Sequence, residues 1–202
     1  LGQLARQQDS TSGFEPKLKE LLEPVLRKCI HNNIPIIGNF GAANPRGAAQ
    51  LIERLGRQVG LNALRIAVVE GDDIRDSIQL NTLEVFEGDA GLDVNLDEIV
   101  AANVYLGAGE IAEALRRGAQ IVVTGRVADP ALVLGPLIYH FNWPMDAWDK
   151  LAIGTLAGHL LECGTQVCGG YFADPGFKDV PDLANVGYPI AEVNNEGDIV
   201  VS

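Results

Sequence analysis

Three short apolar runs, each followed by a polar turn and then a helical stretch, constrain the fold of this chain more than any other feature. The runs are Ile34–Asn39, Leu64–Val69 and Gln120–Thr124, and the turns after them are Phe40–Gly47, Glu70–Asp73 and Gly125–Pro130. Apolar runs that alternate with helices are typical of parallel strands with helices packed on the sheet. The pattern therefore predicts an α/β fold with a mainly parallel sheet and helices on both faces, in a Rossmann-like three-layer arrangement.

The polar turns are predicted to meet at one edge of the sheet, beyond the carboxyl ends of the strands, where open α/β sheets bind ligands. The first turn places a helix N-terminus directly after a strand, and its N–H groups and dipole favour a phosphate or carboxylate. The Arg126 guanidinium can bind such a group through two parallel hydrogen bonds. The residues predicted to bind an anionic substrate are Asn39, Gly41, Asn44, Arg46, Gly107, Thr124, Arg126 and Lys178.

These turns also have purely structural interpretations. The glycines of the first turn can simply satisfy a tight connection between strand and helix. Arg126 and Asp129 can form a salt bridge with each other, with Asp129 capping the helix that Pro130 begins. Lys178 lies in a Gly-rich segment that is predicted to act as a lid.

Three carboxylates, those of Glu70, Asp72 and Asp73, follow the second apolar run within four positions. They can bind a divalent cation through oxygen ligands or supply a general base. The structural alternative is that Asp72 or Asp73 caps the next helix, which leaves Glu70 free for another task. The residues predicted to transfer protons are Glu70, Asp129 and His159.

His159, Glu162 and Cys163 have the spacing i, i+3 and i+4, which places them on one face of a helix. This spacing suits a proton relay or a metal-ligand arrangement. A single histidine on a largely apolar helix is, however, more often a packed histidine, and that interpretation is favoured.

Other motifs of known chemistry are weak in this chain. Gly107–Ala112 has the form G-x-G-x-x-A, but no convincing strand precedes Gly107 and this unit comes third in the chain, so NAD(P) is disfavoured. The first turn lacks the Lys and Ser/Thr of a P-loop, and the chain has neither G-x-S-x-G nor H-E-x-x-H. No motif in the sequence identifies a cofactor.

Composition limits the partners and the location of the protein. A net charge of −12 disfavours nucleic acid and anionic membranes as partners, whereas an anionic small molecule can bind with local help from arginines. The apolar runs are shorter than the roughly 20 residues of a membrane helix, and the polar segment Leu1–Ser12 does not resemble a signal peptide. Three cysteines at irregular spacing favour a reduced, cytoplasmic chain, and a homo-oligomer is compatible with these properties.

The chain is predicted to be a single α/β domain over residues 1–202, with residues 1–13 flexible and residues 165–202 forming a Gly-rich loop region and the start of a hairpin. A helix over Glu15–Asn32 is expected to be kinked or split at Pro24. Residues 87–91 are predicted to form a loop and residues 97–100 a short helix. Because the chain begins at Leu1 and ends just inside a predicted strand, it is interpreted as the N-terminal excerpt of a longer protein.

The chain resembles the acyclic terpene utilisation protein family, long catalogued as a domain of unknown function. The segments that carry the resemblance are Asn39–Gly47, Val68–Asp73, Ala102–Ala108, Val123–Pro130, Ala157–Gly164, Gly169–Asp174 and Lys178–Asp182. The family pattern tends to have a second glycine where Ala42 stands, which bears on the tightness of the first turn. The resemblance implies a cytosolic protein that acts in the breakdown of citronellol-type branched isoprenoids, a bacterial pathway that runs on coenzyme A thioesters. It offers no settled catalytic residues.

Three functions are therefore expected from the sequence. The leading one is an enzyme that acts on a carboxylate or acyl-CoA intermediate, with a lyase step on a 3-hydroxy-3-methylglutaryl-like thioester implied by the resemblance. The second is a non-catalytic metabolite-binding or assembly subunit of an acyl-CoA-processing complex. The third is a hydrolase or lyase assisted by a divalent metal bound at Glu70, Asp72 and Asp73.

Overall fold

The computed structural model describes residues 2–77 and 99–202. Within these ranges the chain forms a mixed α/β structure with seven α-helices and five strands. The helices are α1 (Gly2–Gln8), α2 (Leu18–Leu22), α3 (Leu26–His31), α4 (Pro45–Gln58), α5 (Gly109–Arg116), α6 (Ala131–Phe141) and α7 (Trp148–Glu162). The strands are β1 (Ile36–Gly38), β2 (Ile66–Val69), β3 (Ile121–Thr124), β4 (Ala191–Val193) and β5 (Ile199–Val201).

The three predicted apolar runs form one parallel sheet, in the order β1-β3-β2. Gly38 lies opposite Val123 and Val69 lies opposite Thr124, so the three strands end at nearly the same level. All four residues of the central strand β3 are buried. The sequence predicted the parallel sheet and the common edge of the polar turns, and both predictions are confirmed.

One face of this sheet is covered by α2, α3 and α4. The buried side chains of this core are Leu18, Leu22, Leu26, Ala48, Ile52, Leu55, Ile121 and Val123. Their burial removes apolar surface from water, which is the main force that holds the helices on the strands. The first turn is thereby fixed at the edge of the sheet, because α4 follows it directly.

Local sequence signals set the ends of these helices. Pro24 separates α2 from α3, as expected from the missing N–H of proline. Pro45 begins α4, and Gly60, with φ of +82°, follows its last turn. The predicted loop at residues 87–91 lies outside the described ranges. So does the predicted helix at 97–100, except for its last two residues, which lie in no regular element.

The described chain divides into two compact units. Unit 1 comprises Leu1–Leu106 and Gly118–Val127, and unit 2 comprises Gly107–Arg117 and Ala128–Ser202. Unit 1 contains the parallel sheet, and unit 2 contains α5, α6, α7 and the antiparallel hairpin of β4 and β5. The sequence predicted the start of that hairpin, and the structure shows both of its strands.

In unit 2, glycines allow close packing of the helices. A Cβ at Gly135 on α6 would lie 2.7 Å from the Ile111 side chain of α5. A Cβ at Gly158 on α7 would lie 2.7 Å from the backbone of Pro130. Trp143 is buried after α6, and its indole N–H donates to Asn195 of the hairpin turn over 3.3 Å.

Candidate functional site

Backbone hydrogen bonds join the three strand ends of unit 1. The N–H of Gly41 donates to the carbonyl of Thr124 over 3.1 Å, and the N–H of Gly125 donates to the carbonyl of Val69 over 3.3 Å. A Cβ at Gly41 would lie 2.4 Å from the Thr124 carbonyl oxygen, so only glycine permits this approach. The buried Thr124 hydroxyl donates to the Gly125 carbonyl, which gives Thr124 a structural role at the strand end.

Asp72 ties the end of β2 to the turn after β3. Its buried carboxylate accepts hydrogen bonds from the backbone N–H of Arg126, over 2.9 Å, and from the amide of Asn103, over 3.0 Å. The carboxylate also lies against Gly125, where a Cβ would be 2.3 Å from Asp72 Oδ1. Asp72 therefore positions Arg126 through the backbone.

Arg46 and Glu70, both predicted site residues, form an ion pair with each other. Arg46 Nε donates to Glu70 Oε1 over 3.0 Å, and its terminal nitrogen contacts the other carboxylate oxygen. The Arg46 side chain is 75% exposed, so water screens the pair and its contribution to stability is small. The pairing nevertheless compensates the charge of Arg46.

Asn44 caps α4 rather than facing solvent. Its side-chain oxygen accepts the N–H of Gly47 over 3.0 Å, and its amide donates to the carbonyls of Ser10 and Ser12. This buried side chain satisfies the start of α4 and attaches the N-terminal segment to the first turn. Asn39, at the start of the same turn, is exposed.

Arg126 is the exposed cation at the end of β3. Its guanidinium lies over the Tyr105 ring, 4.8 Å from the ring centroid, and donates a hydrogen bond to the Tyr105 hydroxyl. This partner is a phenol and not a carboxylate, and within residues 2–77 and 99–202 no carboxylate forms a salt bridge with Arg126. The aromatic contact orients the guanidinium without neutralising it.

A cleft of about 240 Å³ lies beside Arg126 in unit 1. It is lined by Gly2, Gln3, Ala42, Ala43, Val100, Ala101, Asn103 and Arg126. Its wall combines the turn after β1, the turn after β3, the start of α1 and the segment before Asn103. The small side chains leave room for a ligand, and Arg126 is the charged residue among those that line the cleft.

The three carboxylates predicted to hold a metal have separate partners. Glu70 pairs with Arg46, and Asp72 accepts from Arg126 and Asn103. Asp73 accepts from the side chain of Gln3, over 2.9 Å, and from the N–H of Arg75. A metal site at Glu70, Asp72 and Asp73 stays a prediction.

The remaining predicted residues lie in unit 2. Gly107 precedes α5, but the residue before it, Leu106, makes a single bridge to Val127 instead of belonging to a strand. Asp129 is exposed next to Pro130, and among the described residues no side chain forms a hydrogen bond that caps α6. Lys178 lies in a tight turn with Asp174, with its ammonium over the Phe172 ring.

His159, Glu162 and Cys163 come together at the end of α7. The ligand atoms of the three side chains all lie within 4.8 Å of one another, and His159 Nε2 is 4.0 Å from Cys163 Sγ. His159 and Glu162 are exposed and Cys163 is half-buried. The interpretation of His159 as a packed core histidine is therefore wrong.

Two carboxyl groups, those of Asp9 and Glu113, have lowered pKa values. The N–H of Thr11, followed by the hydroxyls of Thr11 and Ser12, lowers the pKa of Asp9 below its ordinary value of 3.8. A hydrogen bond from Arg117, together with its charge, lowers the pKa of Glu113. Both groups are exposed.

Sequence reasoning missed three residues of this site: Gln3, Asn103 and Tyr105. Gln3 lies in a segment that was expected to be flexible, and Asn103 and Tyr105 follow a stretch without clear periodicity. The available signal was the resemblance itself, since Ala102–Ala108 is one of the segments that carry it. Residues that hold a functional side chain in place leave little trace in local patterns.

Together these features define an α/β protein with a small cleft beside the carboxyl ends of a parallel sheet. The chain belongs to the acyclic terpene utilisation family, because the model of the acyclic terpene utilisation family protein AtuA matches residues 1–202. The resemblance noted in the sequence is thereby confirmed. Comparison with curated proteins and with solved structures gives no significant match.

The part of the chain that the structure describes contains no helix that could cross a membrane. None of its helices combines the length and the apolar character that a membrane span requires.

Proposed function

We propose that this protein is an enzyme of acyclic terpene breakdown that acts on a carboxylate or acyl-CoA intermediate and binds its anionic end at Arg126. The observation that carries the proposal is the oriented guanidinium beside the cleft, whose partner is the Tyr105 phenol and not a carboxylate. In a chain of net charge −12, such a group provides the local positive potential that an anion requires. The family supports the metabolic context.

Arg126 is better placed than Arg46 to bind the anionic end of a substrate. Arg46 already forms two contacts with the Glu70 carboxylate, so a ligand would have to displace that partner. The N-terminus of α4 is likewise occupied, because the Asn44 side chain accepts the Gly47 N–H. Binding of a ligand to Arg126 displaces no carboxylate of the described residues, so it costs less free energy than binding to Arg46.

The volume of the cleft limits what can bind inside it. At about 240 Å³ it is smaller than the roughly 300–1,000 Å³ of sites that enclose drug-sized ligands. It can therefore hold a carboxylate or phosphate with a short carbon chain. A coenzyme A thioester would extend out of the cleft, with only one anionic group against Arg126.

A lyase acting on a 3-hydroxy-3-methylglutaryl-like thioester is the specific reaction we propose. A base removes the hydroxyl proton, the carbon–carbon bond breaks, and the electron pair passes to the fragment that leaves as an enolate, which is then protonated. Glu70, which lies in unit 1 with Arg126, is the residue we propose to transfer these protons; Asp129 and His159, the other two candidates from the sequence, lie in unit 2 and are not assigned to this step. The Rossmann-like three-layer arrangement, a cytoplasmic location and a homo-oligomer are part of the same proposal, and the three free cysteines are consistent with a reduced compartment.

Isothermal titration calorimetry tests the proposal. It compares the affinities of the wild type and of Arg126→Ala for a branched dicarboxylate and for coenzyme A. Charge-assisted hydrogen bonds contribute about 1.5–3 kcal/mol, so loss of the guanidinium should weaken binding by about 10- to 150-fold. The variant should fold, because the bond from the Arg126 N–H to Asp72 belongs to the backbone and is kept.

Arg46→Ala is the matched control, since it also removes an exposed arginine from the strand-end region. It should leave ligand affinity within a few-fold of the wild type. Equal losses in the two variants would indicate a general effect of charge, and unchanged affinity in Arg126→Ala would refute the assignment. Tyr105→Phe should give an intermediate loss, because the ring contact stays while the hydroxyl that accepts from Arg126 is removed.

A non-catalytic binding or assembly subunit of an acyl-CoA-processing complex is the second candidate. Its support is a set of exposed aromatic side chains in unit 2, which are Tyr139, Trp148, Tyr171, Phe172, Phe177 and Tyr188. Exposed aromatics are enriched at protein interfaces. Turnover of any coenzyme A thioester by the isolated protein would exclude this candidate, and binding without turnover would support it.

A further inference from the structure

The last turn of α7 presents three different metal-ligating side chains on one exposed face. They are an imidazole, a carboxylate and a thiol, at His159, Glu162 and Cys163. The helical spacing of i, i+3 and i+4 directs them to the same side. These residues belong to unit 2, whereas the residues of the Arg126 cleft belong to unit 1.

The separations of the ligand atoms are close to those of a tetrahedral metal site. With Zn–N near 2.0 Å and Zn–S near 2.3 Å, tetrahedral angles place the nitrogen and sulfur roughly 3.5 Å apart. His159 Nε2 and Cys163 Sγ are 4.0 Å apart, and all three ligand atoms lie within 4.8 Å of one another. His159 and Glu162 are exposed, and rotation about their side-chain bonds can bring the ligand atoms closer together.

The backbone that carries these ligands is helical. Cys163 keeps helical angles, with φ of −61° and ψ of −18°, and its N–H donates to the His159 carbonyl over 3.1 Å. Gly164, which follows, is buried with φ of +56°, and a Cβ there would lie 3.1 Å from the Tyr188 ring. The C-terminal end of a helix also favours a cation through its dipole.

From this geometry we infer that His159, Glu162 and Cys163 form a binding site for a zinc ion, with the fourth position open to water or another ligand. A mixed nitrogen, oxygen and sulfur set suits zinc, whereas calcium and magnesium prefer oxygen ligands throughout. Binding deprotonates the Cys163 thiol and releases its proton, so the affinity rises with pH. The inference does not depend on the function proposed for the Arg126 cleft.

Titration of the tag-free, metal-stripped protein with Co²⁺, followed by optical absorption, tests the site. Cobalt takes the place of zinc and reports a bound thiolate by a charge-transfer band in the near ultraviolet. We expect this band with one equivalent of Co²⁺ and its loss when Zn²⁺ is added. Cys163→Ser should lose the band, and His159→Gln and Glu162→Gln should each shift the titration to higher metal concentration.

Two variants serve as matched controls. His140→Gln removes another exposed histidine from the last turn of a unit 2 helix, and Cys29→Ser removes a half-buried cysteine of unit 1. Both should bind Co²⁺ as the wild type does. Absence of the band in the wild type at excess Co²⁺, or its persistence in Cys163→Ser, would overturn the inference. Circular dichroism of each variant confirms that a lost band reflects lost ligands and not unfolding.

Discussion

Replacement of Asp72 by alanine is expected to be the most destabilising polar substitution at the strand ends. The carboxylate is 4% exposed and accepts from the Arg126 N–H and the Asn103 amide. Hydrogen bonds to a charged group contribute about 1.5–3 kcal/mol each, which gives about 3–6 kcal/mol for the two. Because the alanine variant no longer desolvates a carboxylate, we expect a net loss at the lower end, about 3 kcal/mol.

The loss should appear as a lower midpoint of thermal unfolding. For a chain of this size about 1 kcal/mol corresponds to 2–4 °C, so Asp72→Ala should lower the midpoint by about 6–12 °C. Asp72→Asn should lose about half as much, since the amide oxygen can still accept both hydrogen bonds as a neutral group.

Asp73→Ala provides the matched control for this experiment. Asp73 is the neighbouring carboxylate and also accepts two hydrogen bonds, but it is exposed. Its removal should cost about 0.5 kcal/mol or less, because water replaces those bonds. If Asp72→Ala cost no more than Asp73→Ala, or if Asp72→Asn were the worse substitution, burial of the carboxylate would not be the source of the stability.

Three further predictions concern single positions. Ala42 has φ of +44°, so Ala42→Gly should relieve left-handed strain and raise stability by about 0.5–1 kcal/mol, as measured by urea unfolding. Gly125→Ala should cost about 1–3 kcal/mol in the same assay, because its Cβ would lie 2.3 Å from Asp72 Oδ1, and a neutral result would contradict the packing. Asp9 has a lowered pKa in the folded chain, so its contribution is present above pH about 4 and is lost as pH falls through the folded pKa. Asp9→Asn should therefore be less stable than the wild type at neutral pH and equally stable at strongly acid pH. If the difference in stability were the same at every pH, the hydrogen bond from the Thr11 N–H would not depend on the charge of Asp9.

The strands and helices of the sheet unit could be predicted from local sequence. The apolar runs begin and end within about two residues of β1, β2 and β3. Pro24 divides the first helical stretch, and Gly60 and Gly118 follow helices with φ of +82° and +84°. These signals are readable because proline and glycine restrict or permit backbone angles regardless of what surrounds them.

The pairing of polar side chains at the strand ends could not be predicted in the same way. Arg46 contacts Glu70 across 24 positions, and Arg126 contacts Tyr105 across 21 positions. The carboxylate of Asp72 reaches the Arg126 N–H across 54 positions. Local patterns contain no information about such distances, so each residue appeared as an equal candidate for binding.

The sequence by itself determined that this chain forms a parallel sheet whose polar turns share one edge, because backbone preferences and apolar periodicity act over neighbouring residues. It also determined the family, through runs of residues that extend along most of the chain. Only the tertiary structure decided that Arg46 pairs with the Glu70 carboxylate whereas Arg126 lines a cleft and contacts the Tyr105 phenol. The reason is physical: the availability of a charge depends on which side chains the fold brings within a few ångströms of it.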